Sequence, residues 1–308
     1  MALLKILLAT KEQQMKPQLL FFRIFFIALV TMPLISPESE VYASTKASVK
    51  TEWTGRQDAW HGFKRFHFQI DGRNCYVVTP TKNAPGKPWV WRARFPDFHY
   101  EMDVALLKHG FHIAYIDVAN LFGSPQAVAH GNRFYEYLTK QHGFQPKVAL
   151  EGVSRGGLFI YNWALANPEK VSCIYADTPV CDFKSWPGGK GKSAGSQASW
   201  KSCLKAYGLT EAEAVAYKNN PLDRIQRIAD AHIPVLHIVS ENDQVVPPDE
   251  NTYLMFSRIP ESQRKHNFKV ISVKAGTEKS KGHHFQHPDP NQVVEFILKN
   301  TLDQQSRK

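Results

Sequence analysis

The sequence predicts an α/β protein built on a doubly wound, mostly parallel sheet. Predicted strands and helices alternate along most of the chain, and the inner strands are continuous apolar runs. Such runs are expected when helices cover both faces of a sheet. The 308 residues are 43% hydrophobic, which is enough to bury the core of one large domain. We find no fixed-period repeat, so a solenoid or a propeller is not expected.

The strands are predicted from short apolar or β-branched runs that lie between turn residues. The first two are joined by Asp71-Gly72, a two-residue sequence typical of a hairpin turn. In chain order the predicted strands are 63–70, 74–79, 88–95, 111–118, 147–151, 171–176, 234–240 and 268–273.

The helices are predicted mainly from their start and stop residues. Ser124 and Pro125 suit the N-cap and the first turn of one helix, and Asn167-Pro168 ends another. The predicted helices are 125–141, 155–166, 249–257 and 291–300, and residues 177–221 are expected to be irregular first and helical later. Right-handed crossovers would gather the loops after the parallel strands at one sheet edge, where active sites lie.

The first 43 residues are expected to be a signal peptide. Residues 24–35 form a clean apolar run, which is shorter than the roughly 20 residues that a transmembrane helix requires. Basic residues precede this run, Val41 and Ala43 suit a signal-peptidase site, and Met15 is a possible true start. An uncleaved N-terminal anchor is the alternative. Cleavage would leave residues 44–308 as one domain, secreted or periplasmic and without stable membrane insertion.

The charge and the cysteine count exclude some classes of protein. The formal net charge is +10, but the basic residues are dispersed and form no recognition module, so nucleic-acid binding is not expected. Four cysteines are too few for a disulfide scaffold. In an exported protein, a Cys181–Cys203 bridge would pin the Gly-rich and Lys-rich segment between them. Cys173 is expected to be a buried free thiol, and Cys75 has no evident partner.

The sharpest motif is Gly152-Val153-Ser154-Arg155-Gly156, which follows a predicted strand and opens a predicted helix. The turn in such an elbow is so tight that glycine is needed at positions 152 and 156, which leaves Ser154 exposed above the sheet. The start of the following helix would offer backbone N–H groups beside it. We predict that Ser154 is a nucleophile. A glycine-rich turn without chemistry is the alternative.

A serine hydroxyl needs a base and an orienting acid to act as a nucleophile. In elbow architectures the order along the chain is Ser, then Asp or Glu, then His. Asp243 follows a predicted strand and precedes Val-Val-Pro, so it is the predicted acid, with Glu241 as the alternative. The loop after the last predicted strand contains Gly282-His283-His284. His283 is the predicted base, and His284 is the alternative base.

These residues resemble the α/β-hydrolase superfamily in kind, order and spacing, over about residues 60–300. More narrowly, the chain is similar to secreted bacterial esterase-like hydrolases near the carbohydrate esterases that act on glucuronoyl, pectin or acetyl esters. The Ser154-Arg155 pair is similar to the Gly-Cys-Ser-Arg elbow of glucuronoyl esterases, with Val153 in place of the cysteine. The resemblance implies the α/β-hydrolase fold, a small cap or lid insertion at about 182–222, and no cofactor.

The resemblance also implies further site residues. The oxyanion hole would use the backbone N–H of Arg155 and a second donor near Arg94 or Phe95. The Arg155 side chain would help to hold an oxyanion or a substrate carboxylate, with a surface ion pair as the alternative. Trp186 and Trp200, within the lid-like segment, could stack on a sugar ring. A flexible basic loop with packed tryptophans is the alternative there.

The leading hypothesis is an exported serine hydrolase that cleaves a carboxylic ester of a polysaccharide or of a small molecule. An acetyl group or a uronate methyl ester is the favoured target. A serine peptidase related to prolyl oligopeptidases, and a non-catalytic binding protein on the same fold, are the alternatives. No metal is expected, because the cluster formed by His283, His284, His287 and Asp289 includes no His-Glu-x-x-His pair.

Overall fold

The computed structural model describes residues 52–302, so the expected signal peptide and Met15 lie outside the described residues. Within these residues nine strands form one sheet in the order β1-β2-β3-β5-β4-β6-β7-β8-β9. The strands are β1 (Arg56–Trp60), β2 (Phe63–Ile70), β3 (Arg73–Thr79), β4 (Trp89–Ala93), β5 (His112–Ile116), β6 (Val148–Val153), β7 (Val171–Asp177), β8 (Val235–Ser240) and β9 (Phe268–Val273).

The first three strands are antiparallel to their neighbours, and the six from β5 to β9 in the sheet order run parallel. The doubly wound, mostly parallel sheet predicted from the sequence is therefore confirmed. Strands β4, β6, β7 and β8 are buried along their whole length, which explains why they read as continuous apolar runs.

Helices cover both faces of the sheet. They are α1 (Glu101–Lys108), α2 (Pro125–Glu136), α3 (Gly156–Ala166), α4 (Gln197–Tyr207), α5 (Glu211–Ala216), α6 (Gln226–Asp230), α7 (Thr252–Ser257), α8 (Glu261–Asn267) and α9 (Pro290–Leu302). Residues of α1 and α9 pack in the apolar cluster on one face, whereas residues of α2, α3, α6 and α7 pack in the cluster on the other. Among the described residues, no helix has the length and the apolar character needed to cross a bilayer.

Several elements differ from the sequence predictions. Strand β1 and helices α1, α6 and α8 were not predicted, because they are short and carry weak periodic patterns. Helix α2 is continued by a π-helical turn, Tyr137–Gln141, so the whole helical segment ends where the sequence predicts. Helix α7 begins at Thr252 rather than at 249.

The segment between β7 and β8 contains α4 and α5 and has its own apolar cluster. The Cys181–Cys203 bridge that the sequence allowed is not formed, because all four cysteines are free and buried. Burial raises the pKa of the Cys75 and Cys203 thiols to about 12. The segment is stabilised instead by apolar packing, with Phe183 and Trp200 ring centroids 5.8 Å apart.

One charged cluster interrupts the apolar interior. Arg92 of β4 is fully buried, and its guanidinium lies 2.6 Å from the Asp103 carboxylate and 2.7 Å from that of Glu151. It also donates to the backbone carbonyls of Phe95 and Phe98. Burial, opposed by Arg92 and assisted by Asp103, raises the pKa of Glu151 well above its ordinary value. The cluster joins β4, β6 and α1 to the loop of residues 94–99.

The Arg92 cluster gives a stability prediction. Arg92→Met keeps an unbranched side chain of similar length but leaves two buried carboxyl groups without their cation. It should lower the free energy of unfolding by about 3–5 kcal/mol, as measured by urea denaturation. The control is Arg56→Met, since Arg56 pairs with Asp58 at 3.0 Å but its side chain is 67% exposed; that variant should lose less than about 1 kcal/mol. Equal losses in the two variants would contradict the prediction.

Candidate active site

The turn between β6 and α3 holds Ser154 at the carboxyl edge of the sheet. Ser154 has a φ of 51°, a left-handed conformation that is strained for a residue with a side chain. A Cβ at Gly152 would lie 2.5 Å from Ile160 Cδ1, and one at Gly156 would lie 2.3 Å from the Ala93 carbonyl oxygen. Glycine is therefore sterically required at position 156, where the contact is with backbone, whereas a side chain at position 152 would displace the end of the Ile160 side chain.

Ser154, His283 and Asp243 form one hydrogen-bonded chain. His283 Nε2 lies 2.9 Å from Ser154 Oγ, and His283 Nδ1 lies 2.6 Å from Asp243 Oδ2. The other Asp243 oxygen accepts the backbone N–H groups of Val245 and Val246 at 2.8 and 2.9 Å. These two bonds fix the carboxylate, which in turn fixes the imidazole with one nitrogen toward the serine.

The loops that carry the acid and the base pack tightly against each other. Gly282 has a φ of 82°, and a Cβ there would lie 2.2 Å from the Asn242 carbonyl oxygen. Glycine before His283 is thus needed for the His283 loop to approach the Asp243 loop. The structure therefore brings together the residues that the sequence analysis favoured for the acid and the base.

The two alternative residues make other contacts. The Glu241 carboxylate accepts the Tyr253 hydroxyl at 2.7 Å. The His284 ring lies beside Phe98, with centroids 5.1 Å apart, and burial together with the charge of His283 lowers the pKa of His284. Among the described residues, no group of three or more His, Cys, Asp or Glu side chains is arranged to hold a metal ion.

The predicted oxyanion donors lie next to the elbow. Arg155 directly follows Ser154. The loop that begins at Arg94 follows Ala93, whose carbonyl oxygen lies against Gly156. Arg94 and Phe95 both have left-handed backbones, with φ of 73° and 48°. Two segments, the residue after Ser154 and the loop that begins at Arg94, thus lie next to the elbow.

A narrow cavity lies beside the elbow, and both Arg94 and Arg155 line it. The Arg155 guanidinium carbon lies 5.9 Å from the ring centres of Phe122 and of Trp186. Burial, followed by the charge of Arg94, lowers the pKa of Arg155, while Asp117 acts in the opposite direction. No ion pair joins either arginine to a carboxylate within residues 52–302, so the expected alternative of an Arg155 surface ion pair is not found.

The two tryptophans of the lid-like segment differ in exposure. Trp186 is half-buried at the rim of the site, beside Arg155. Trp200 is only 6% exposed, and its indole N–H donates to Glu211 at 2.5 Å. The prediction that Trp200 stacks on a substrate is therefore wrong, because its ring faces the apolar cluster beneath α4.

A histidine that the sequence analysis did not single out lies at the same sheet edge. His99 Nδ1 lies 2.5 Å from Asp177 Oδ2, and His99 Nε2 lies 2.8 Å from the Phe285 carbonyl oxygen. No sequence motif marks this residue, since its partners are 78 and 186 positions away. Its burial and its two strong partners set it apart from an ordinary surface histidine.

No protein-family model and no curated protein sequence matches this chain. Solved structures match its backbone. The 2,6-dihydroxy-pseudo-oxynicotine hydrolase has a TM-score of 0.57 at 15% identity, over 79% of this chain and 69% of the hydrolase. A puromycin-hydrolyzing peptidase of Mycobacterium tuberculosis has a TM-score of 0.55 at 15% identity, over 76% of this chain. Est1E from Butyrivibrio proteoclasticus has a TM-score of 0.52 at 15% identity, over 82% of this chain and all of Est1E.

The aligned part covers only 38% of the mycobacterial peptidase and 42% of an acylaminoacyl peptidase from Pyrococcus horikoshii. Identities this low establish a fold and leave substrates open. The sheet order and these likenesses together show that the chain has the α/β-hydrolase fold.

Proposed function

We propose that this protein is an exported serine hydrolase that cleaves carboxylic esters. The observation that carries the proposal is the hydrogen-bonded chain from Ser154 through His283 to Asp243. Such a chain activates a hydroxyl that is otherwise a poor nucleophile. Export rests on the expected signal peptide alone.

The proposed reaction has two halves. Ser154 Oγ attacks the ester carbonyl while His283 Nε2 takes the hydroxyl proton, and Asp243 stabilises the imidazolium. The developing oxyanion accepts backbone N–H groups at Arg155 and at the start of the loop of residues 94–99. His283 then gives the proton to the leaving alcohol, and an acyl-enzyme remains. A water molecule, deprotonated by His283, releases the acid and restores the serine.

An ester on an acidic polysaccharide is the substrate class that we propose, either an acetyl ester or a uronate methyl ester. Arg94 and Arg155 offer positive charge beside the nucleophile, and Trp186 offers a half-exposed ring at the rim. Guanidinium groups recognise carboxylates well, and indole rings stack on sugars. The segment that contains α4 and α5 is the proposed cap over the site.

Peptide hydrolysis is the second candidate. The likenesses to a puromycin-hydrolyzing peptidase and to an acylaminoacyl peptidase favour it, and the same three groups can attack an amide. The ester proposal is preferred because two arginines that form no ion pair with a carboxylate among the described residues suit an acidic polymer.

One prediction for activity concerns the nucleophile. Ser154→Ala should lower the turnover of p-nitrophenyl acetate, acetylated xylan or methyl-esterified pectin by at least about 10³-fold, because the attacking oxygen is lost. Ser262→Ala, which alters an exposed serine on α8, should keep the full rate. A peptide p-nitroanilide belongs in the same assay, and its turnover alone would favour the peptidase.

Equal ester turnover with and without the Ser154 hydroxyl would refute the serine mechanism. The thermal melting temperatures of the two variants should match that of the wild type, so that a lost rate cannot be ascribed to unfolding.

The second prediction concerns the acidic substrate. Arg155→Gln should lower kcat/KM for partially de-esterified pectin, which carries free carboxylates, by about 10-fold more than for fully methyl-esterified pectin, since one charge-assisted bond is lost. Arg227→Gln, at an exposed position of α6, serves as the control and should change neither value. A uniform loss on both pectins would mean that the guanidinium serves the oxyanion and not a substrate carboxylate.

A further inference from the structure

We propose that His99 is a positioning residue whose doubly protonated ring holds the loop carrying His283 against the end of β7. The proposal rests on the proposed function for its kinetic readout, whereas the charge of the ring can be tested without any activity.

Both ring nitrogens of His99 meet hydrogen-bond acceptors. Nδ1 lies 2.5 Å from a carboxylate oxygen of Asp177, and Nε2 lies 2.8 Å from the backbone carbonyl oxygen of Phe285. A carbonyl oxygen has no proton to donate, and a neutral imidazole carries only one N–H. Both bonds are therefore satisfied when the ring is the imidazolium ion.

The two partners belong to the two halves of the proposed catalytic site. Asp177 is the last residue of β7, and its backbone carbonyl accepts the Ser154 N–H at 2.9 Å. Phe285 lies two residues after His283. One protonated ring thus connects the elbow that carries the nucleophile to the loop that carries the base.

The backbone at His99 is held in a costly conformation. Its φ is 51°, and Arg94 and Phe95 in the same loop are also left-handed. Such a backbone is strained for a residue other than glycine. Arg92 fixes the Phe98 carbonyl on one side, and the two ring bonds fix His99 itself. The strained backbone persists because the hydrogen bonds of Arg92 and those of the His99 ring both hold it in place.

The charges around the ring favour its protonated form. Burial lowers the pKa of His99, but the bond to Asp177, its charge, the Phe285 carbonyl and Glu101 together raise it above the ordinary 6.5. The other titratable groups that face His99 and Asp177 are His284, His287, Tyr175, Asp289 and Glu151. Burial and the charge of His99 lower the pKa of His287. Of the histidines His99, His284 and His287, His99 is the one whose pKa is raised.

The sign of the pH dependence follows from the raised pKa. Both hydrogen bonds of the protonated His99 ring are present below the ordinary histidine pKa of 6.5. They are lost as the pH rises through the raised pKa that His99 has in the folded protein. A Ser-His-Asp triad alone gives a rate that rises with pH as the base becomes neutral and then stays level. With His99, the rate should fall again on the alkaline side, which gives a bell-shaped profile.

The kinetic experiment measures kcat and KM for p-nitrophenyl acetate against pH, with the Ser154→Ala rate subtracted. His99→Gln should lower kcat by about 10-fold, with KM changed by less than about two-fold, and should remove the alkaline fall. Asp177→Asn should move that fall by about one unit toward lower pH, because the ring loses its carboxylate. His266→Gln, on an exposed residue of α8, should reproduce the wild-type profile.

An alkaline fall that is unchanged in both His99→Gln and Asp177→Asn would overturn the proposal. NMR of the imidazole nitrogens provides the second measurement, in the full-length wild-type protein and in Ser154→Ala. We expect both His99 nitrogens to carry protons near neutral pH, and a neutral ring there would also overturn the proposal. If the protein has no esterase activity but His99 is protonated, the proposed function is refuted, whereas the proposal that the charged His99 ring holds the His283 loop is retained.

Discussion

The buried guanidinium of Arg92 is the interaction on which the shape of the site depends. It donates to carboxylates on α1 and β6 and to two carbonyls in the loop of residues 94–99. A buried charge is costly unless every side of it is satisfied. A shift of the loop of residues 94–99 would therefore break its hydrogen bonds to the buried Arg92 guanidinium. Removal of the guanidinium would in turn leave the buried Asp103 and Glu151 carboxyl groups without a cation. These bonds hold the loop next to the elbow, where the Ala93 carbonyl oxygen lies against Gly156.

The parts of the fold that follow from local rules could be predicted from the sequence. Strands β2 and β9 have the predicted bounds because their apolar runs end at turn residues. The elbow could be located because the requirement for glycine at 152 and 156 lies within five residues of chain. His283 and Asp243 followed from the order of groups along a parallel sheet, in which each loop after a strand reaches the same edge.

The rest depends on contacts between distant residues, which no local pattern reports. Arg92 lies in an apolar strand, and only the folded sheet shows that its neighbours are Asp103 and Glu151. The sequence allows Trp200 to face either a substrate or the core, and in the folded protein the packing of α4 buries it in the core. His99 gains its importance from Asp177 and Phe285, which come from other strands and loops. The order in which β5 precedes β4 in the sheet is likewise a property of the whole chain.

The four buried free thiols have a consequence for the redox chemistry of the folded domain. No disulfide has to form, and no thiolate is presented to an oxidant, because burial raises each thiol pKa. The packing that holds the segment around α4 is the same whether glutathione is reduced or oxidised. Once folded, the described domain therefore keeps its thiols reduced and shielded in a reducing or in an oxidising compartment.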